Sequence, residues 1–182
     1  MLLGPSSEVG RAVLARRPDL ARAVLRRWQE VLPAGALFVE VVCHHAPPGG
    51  PLGVDHAARM LALARECGVP AVLTNAVRYA DPSGATTVDV LDAARRLVAL
   101  DERHLDRVTA QGHLRSGAAM ARTAADVAAG LGGGRQVATE EAARLLADTA
   151  ALAARCEARP GARPRAGVGA PARAVGARPA PG

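Results

Sequence analysis

Pro70-Ala-Val-Leu-Thr-Asn-Ala-Val-Arg-Tyr-Ala-Asp-Pro82 is an apolar run that opens on one proline and closes in a polar turn before another. Ala71 to Leu73 read as a short buried strand, and Thr74 to Asp81 as its polar exit. Parallel α/β folds gather their chemistry where strands end, so a site in this chain is expected at that exit.

Upstream, Ala36 to Cys43 is a nearly continuous apolar run with Val39, Val41 and Val42, the pattern of a strand buried on both faces. Between the two runs lies a helix, capped by Asp55 and extending through Cys67. Met60, Leu61, Ala64 and Cys67 recur at helical spacing, and Gly68 stands just past the end. Strand, helix, strand with short links is a parallel crossover unit. A parallel sheet is covered on both faces, so two such strands cannot stand alone. The chain is therefore expected to be α/β, with part of its architecture supplied from elsewhere.

Two features interrupt the first strand. Glu40 places a carboxylate within it, and because an unpaired buried charge is costly, structural pairing is the expected role, with catalysis the alternative. At the strand's end stand Cys43, His44 and His45, followed by a loop rich in Pro and Gly from Ala46 to Gly53. Glu40, His44 and His45 are candidate metal ligands. Consecutive side chains leave a strand in opposite directions, however, and three in a row rarely converge on one ion.

Farther out, helical signals dominate. Ser6 or Ser7 caps a short helix through Arg16, with Glu8 in its first turn. From Pro18 to Leu32, the residues Leu20, Val24, Leu25, Trp28, Val31 and Leu32 form one apolar face, Trp28 as core packing. Beyond Asp81-Pro-Ser-Gly84, a helix is predicted from Ala85 to Leu100 with Val88, Leu91, Ala94 and Leu97 near one face. Its Asp89, Asp92, Arg95 and Arg96 read as a solvated face with local ion pairs. Asp101 to His113 is polar and irregular, with His104 and His113 read as surface residues. Ser116 caps a helix from Gly117 to Ala129. Gly130-Leu-Gly-Gly-Gly-Arg135 is a linker between helices, since no Gly-Lys-Ser/Thr follows and no strand precedes it. Thr139 caps the last helix, to about Glu157, with Ala142, Leu145, Leu146, Leu152 and Ala153 inward and Thr149 a polar blemish on that face.

Composition bounds the function. A chain of 182 residues, 49% apolar, can bury the core of one domain. The net charge of +6 is misleading as a nucleic-acid signal, because residues 158–182 hold five Arg and no acid and so carry all but one of the net charges. That terminal segment contains only Ala, Arg, Pro, Gly and Val and is expected to be disordered. It reads either as a basic tail contacting nucleic acid or as translation in a wrong frame. The second is favoured, because a functional tail would more often mix in Lys, Ser or Thr. Trp28, Phe38 and Tyr79 are too few to build the stacking platforms of a single-strand groove. Cys43, Cys67 and Cys156 are odd in number and widely spaced, which indicates neither a disulfide framework nor a zinc motif and suits a reducing cytoplasm. No apolar run approaches the ~20 residues that span a bilayer, and the opening Met-Leu-Leu-Gly, with no charged leader or long apolar region before it, is expected to carry no targeting signal.

Several segments together resemble a known family. They are Leu2-Leu-Gly-Pro-Ser-Ser-Glu-Val-Gly-Arg11, Phe38-Val-Glu-Val-Val42, His56-Ala-Ala-Arg-Met60, Gly68-Val-Pro-Ala-Val-Leu-Thr-Asn-Ala-Val-Arg-Tyr79 and Gly112-His-Leu-Arg-Ser116 with Met120. In order and spacing they resemble the later half of the polymerase-and-histidinol-phosphatase (PHP) domain that opens the bacterial C-family DNA polymerases, closest to the error-prone paralogues of the polymerase III alpha subunit. The resemblance implies the C-terminal part of a distorted (β/α)7 barrel over residues 1–100, a helical passage toward an absent polymerase palm over 101–157, and an unrelated tail over 158–182. It implies a parent nucleotidyltransferase active in DNA replication and damage-tolerant repair synthesis, with magnesium, DNA and a sliding clamp as its cofactor and partners. This chain itself is expected to hold no cofactor and to need the rest of the barrel and the palm for stability.

Family members with an active PHP site carry metal ligands where this chain has Pro5, Ala76 and Arg78. Pro and Ala offer no side-chain donor atom and Arg stays protonated, so those positions are degenerate and Arg78 is expected to fill the vacancy with its own charge. Two functions follow as expectations: a structural PHP segment of an error-prone polymerase, inactive alone, or a free-standing metal-dependent phosphoesterase using Glu40, His44 and His45.

Overall fold

The computed structural model describes residues 1–105 and 107–156; the tail expected over 158–182, and Glu157 at the expected end of the last helix, lie outside them. The described residues form a mixed α/β unit of six helices and a three-stranded parallel sheet. In chain order these are β1 (Leu2–Leu3), α1 (Glu8–Leu14), α2 (Pro18–Val31), β2 (Phe38–Val42), α3 (Val54–Glu66), β3 (Ala71–Thr74), α4 (Ala85–Arg96), α5 (Gly117–Ala129) and α6 (Gly134–Arg155). Single turns of 3-10 helix at Pro82–Gly84 and Glu102–His104 flank α4.

The crossover unit forms as the apolar runs require, with Val39 opposite Ala71 and Val42 opposite Thr74 in parallel register. The sheet has one strand more than the sequence predicts. β1, which places Leu2 opposite Phe38 and Leu3 opposite Val39, has two residues, too few to show any alternation. The chain leaves β1 through Gly4 and Pro5, and Ser7 caps α1 by accepting the Gly10 N–H at 3.1 Å. The turn is tight: a methyl group on Gly10 would overlap the Pro5 carbonyl.

Alternation along the strands divides the interior in two. Leu3, Val39, Val41, Ala71 and Leu73 join Val9, Leu25, Met60, Leu61, Val127 and Leu145 in one apolar core beneath the helices. Full burial of each large aliphatic side chain stabilises the fold by ~1.5–3 kcal/mol. Phe38, Val42 and Val72 are buried on the other face, where the Arg155 guanidinium lies 5.6 Å from the Phe38 ring centroid.

Polar groups fix how the helices sit. His56 of α3 is fully buried, and its Nε2–H donates to the Gly10 carbonyl of α1 at 3.1 Å. Arg65 of α3 donates to Glu141 at 2.8 Å and to Asp148 at 2.7 Å, both on α6. Thr149 is no blemish. Its hydroxyl accepts the Leu73 N–H at 2.9 Å and donates to the Leu145 carbonyl at 2.7 Å, so α6 satisfies a backbone donor on β3 that a further strand would otherwise take.

Several expected details are corrected. On α2 the inward face is narrower than the stripe predicts: Ala21 and Leu25 are buried, while Leu20 and Val31 are 40% and 70% exposed. The helix packs chiefly on α1 and only slightly on α3, which leaves its flanks in solvent. Asp55 does not cap α3. Gly53 takes that position, and the Asp55 carboxylate turns back to accept the Gly49 N–H and an Arg59 N–H, tying down the Pro/Gly loop instead. Thr139 does not cap α6 either. Gly132, Gly133 and Gly134 all take positive φ, which completes the reversal after α5 early, and α6 starts at Gly134 with Thr139 bonded inside it to the Arg135 carbonyl.

The largest correction concerns α4, which is turned the other way. Asp89 and Asp92, expected in solvent, are buried at 7% and 6% exposure. Leu91 and Leu97, expected on the apolar face, are 61% and 91% exposed. The cause is tertiary: two arginines from outside the helix meet the carboxylates.

Candidate functional site

All three strands are parallel, so their carboxyl ends share one edge of the sheet, with Pro5 just past β1, His44 past β2 and Ala76 and Arg78 past β3. The exit of β3 is organised by Asn75, a residue the sequence reading did not single out. Its buried side-chain amide donates to the carbonyls of Gln111 and His113 at 2.7 and 2.6 Å, and its backbone carbonyl accepts from His44 Nε2 at 2.9 Å. The Arg78 N–H donates to the Gly112 carbonyl at 2.8 Å, the Leu114 N–H donates to the Tyr79 carbonyl at 3.1 Å, and Tyr79 bridges His113. Segment 111–114 is thus stitched along the β3 exit, and the half-buried His113 is held there rather than free on the surface.

A small cavity of about 130 Å³ opens beside this exit, lined by His44, Ala76, Arg78, Tyr79, Asp89, Asp92, Arg107 and Gly112 among others. Two fork-shaped ion pairs close it. Arg78 donates through Nη1 and Nη2 to the two Asp92 oxygens at 2.6 and 2.9 Å; Arg107 donates through Nε and Nη2 to Asp89 at 2.8 and 2.6 Å. The Arg78 hydrogen bonds hold the Asp92 carboxyl below its ordinary value, and Asp89 raises Arg107 further. Arg107 and both aspartates were not singled out as site residues. Pairing partners 14 and 18 residues apart leave no local signal.

The candidate ligands do not gather. His44 is buried in this cavity wall; because a carbonyl only accepts, its Nε2 carries the hydrogen, and burial pushes the imidazole toward its neutral form. His45, in left-handed backbone at φ 52°, leaves toward α5, where Nε2 meets an Asp126 carboxylate oxygen at 3.0 Å. Glu40 accepts the Thr74 hydroxyl at 2.7 Å and lies so close over Gly4 that a methyl there would overlap it. Its structural partner is therefore a hydroxyl on the neighbouring strand. Cys43 is buried in the apolar core, which pushes its thiol up. Pro5 is half-buried in the turn into α1, and Ala76 takes φ 41°, a conformation costly for any residue with a Cβ. Among the described residues, no three His, Cys, Asp or Glu side chains stand together as metal ligands. The donor set at the β3 exit does not suit a cation: Arg78 brings a permanent positive charge and no lone pair, and Asp92 is already spent on it.

A second, larger cleft of about 550 Å³ lies on the other side of residues 111–116, between His45 and α5, and takes in His113, Arg115, Arg122 and Asp126. His44 and His45 therefore face two different hollows.

Fold and site together define a parallel α/β unit whose strand-exit edge is closed by arginine–carboxylate pairs. No protein-family model matches the chain, and no curated protein matches it. No helix among the described residues is long and apolar enough to cross a membrane.

Proposed function

We propose that the chain is a structural PHP segment of an error-prone C-family DNA polymerase, in which a barrel without a metal centre supports catalysis carried out elsewhere. The observation that carries this reading is the Arg78–Asp92 pair. Where the resemblance implies metal ligands, a guanidinium takes the place of the cation and is neutralised by a carboxylate from α4. Further support comes from the parallel crossover and from the common edge that Pro5, His44 and Ala76 share, as a barrel's functional face would require. On this reading magnesium, DNA and a sliding clamp belong to the intact cytoplasmic enzyme, and these residues are assigned to none of them.

The alternative, a free-standing metallophosphoesterase on Glu40, His44 and His45, finds little in the geometry, since those side chains reach a threonine hydroxyl, a backbone carbonyl and an aspartate in three separate places. Purified chain titrated with zinc and manganese, then assayed on a phosphoester, separates the two. The proposal expects no stoichiometric metal and no turnover; both together would overturn it. The coding DNA on either side supplies a second test, with barrel-opening strands expected upstream and a palm downstream.

A further inference from the structure

The large cleft between His45 and α5 is lined by more positive charge than its own acid can neutralise. Asp126 is committed to His45 at 3.0 Å. Arg115 and Arg122 have no carboxylate partner among the described residues. Arg115 is nevertheless fixed: Nη1 donates to the Thr123 hydroxyl at 2.8 Å and Nη2 to the Gln111 side-chain oxygen, both neutral acceptors. Thr123 is itself buried and bonded to the Ala119 carbonyl at 3.2 Å, so the guanidinium is held in place by α5 with its charge intact. Arg122 stands one turn before Asp126 on the same helix, and its forked donors form no bond with another side chain among the described residues. Ser116 accepts the Ala119 N–H, which leaves its hydroxyl hydrogen free to donate into the cleft.

We propose that this cleft binds a phosphoryl group. Two guanidiniums, one pre-positioned by neutral contacts and one unengaged, match the charge and the spread oxygens of a phosphate better than a single carboxylate. A hollow of about 550 Å³ holds more than a bare ion, so the group is carried on a larger molecule, either a small phosphate ester or a nucleic-acid backbone. The inference stands apart from the polymerase reading, which concerns the other cavity and is tested with metals.

The test is an amide-resolved NMR titration of the full chain at low ionic strength, with inorganic phosphate and, separately, a short single-stranded oligothymidylate. Phosphate is expected to shift His45, residues 112–119 and Arg122, with a dissociation constant of about 1 mM. Arg122→Gln should weaken that binding about fivefold to tenfold, the loss of one charge-assisted contact, without disturbing the rest of the spectrum. Arg122→Lys should recover only part, because it keeps the charge but not the fork. A response to phosphate alone assigns a small phosphorylated ligand, and a response to both probes assigns a backbone phosphodiester; either supports the cleft. Shifts confined to the arginines of 158–182, undiminished affinity in Arg122→Gln, or no response to either probe would overturn it.

Discussion

α3 and α4 are helices of 13 and 12 residues, each reached from a strand through a polar loop, yet they meet the rest of the protein in opposite ways. α3 turns Ala57, Met60, Leu61 and Ala64 inward, against the sheet and α5. α4 turns Asp89 and Asp92 inward, leaves Val90 and Leu91 in solvent, and among the described residues packs extensively on no strand and no other α-helix. The first is held chiefly by buried apolar area, with the Arg65 pairs to α6 at its edge; the second rests on two ion pairs whose arginines are 46% and 31% exposed, where solvent screens part of the attraction. The body and the α4 flap should therefore respond to different perturbations.

The sharpest way to break the comparison is to remove the same kind of atom from the body. Leu61 is fully buried between the sheet and the helices, so Leu61→Ala should cost ~2–5 kcal/mol through lost transfer energy and a residual cavity. Urea unfolding followed by far-ultraviolet circular dichroism should show the midpoint fall by the corresponding amount. An unchanged midpoint would mean that α3 is not the centre of the core. Next in size is Thr149→Val, which keeps the shape and removes the acceptor for the Leu73 N–H. A backbone donor left without a partner costs ~1–3 kcal/mol, and the loss should appear first as faster amide exchange along β3.

The flap is tested by charge. Arg78→Gln leaves Asp92 without its forked partner, and the expected effect is local: amide protection over 85–96 falls by ~10-fold or more while that of α3 holds. If α3 loses protection equally, α4 is part of the cooperative core.

The two regions also separate by pH. Burial depresses the His56 imidazole, so the folded body keeps it neutral while the unfolded chain takes up a proton near 6.5. Its contribution is complete above that pH and declines as pH falls below it; buried His44 adds in the same direction. Asp92 is depressed by Arg78, so its contribution is present above 3.8 and is lost as pH falls through its lower folded value. The body should thus weaken first on acidification, read as the urea midpoint of Trp28 fluorescence, while α4 exchange relative to the body stays constant until well below pH 4. A flap that opens near neutral pH would contradict this assignment.

These contrasts mark what was legible in the sequence. Continuous apolar runs announced β2 and β3, and Ser116 announced the start of α5 at Gly117, because each is a local rule acting on adjacent residues. Periodicity also located α4, although it carried the helix to Leu100 where left-handed backbone at Leu97 ends it after Arg96, and it assigns two faces without saying which turns inward. That choice rests on Arg78 and Arg107, whose arrival depends on the whole chain path. At the candidate site, His44 past β2 and Ala76 and Arg78 past β3 could be placed at strand exits in advance, whereas Pro5 could not, because β1 left no signal. Asn75 and His56 could not be assigned their roles, since a buried amide or imidazole shows its partners, here backbone carbonyls at Gln111, His113 and Gly10, only after folding.

The smallest expected effect closes the comparison with a leucine of the flap. Leu91 is 61% exposed on the outer face of α4, so truncating it removes little buried area and leaves no cavity. Leu91→Ala should change stability by no more than ~0.5 kcal/mol, within the range of ordinary surface substitutions, and alanine's high helix propensity offsets part of even that. Set beside Leu61→Ala in the same urea titration, it holds residue type, substitution and secondary structure fixed and varies only the face. A loss at Leu91 approaching that at Leu61 would show that the outer face of α4 is covered in solution, and the flap would have to be redrawn as a second packed layer.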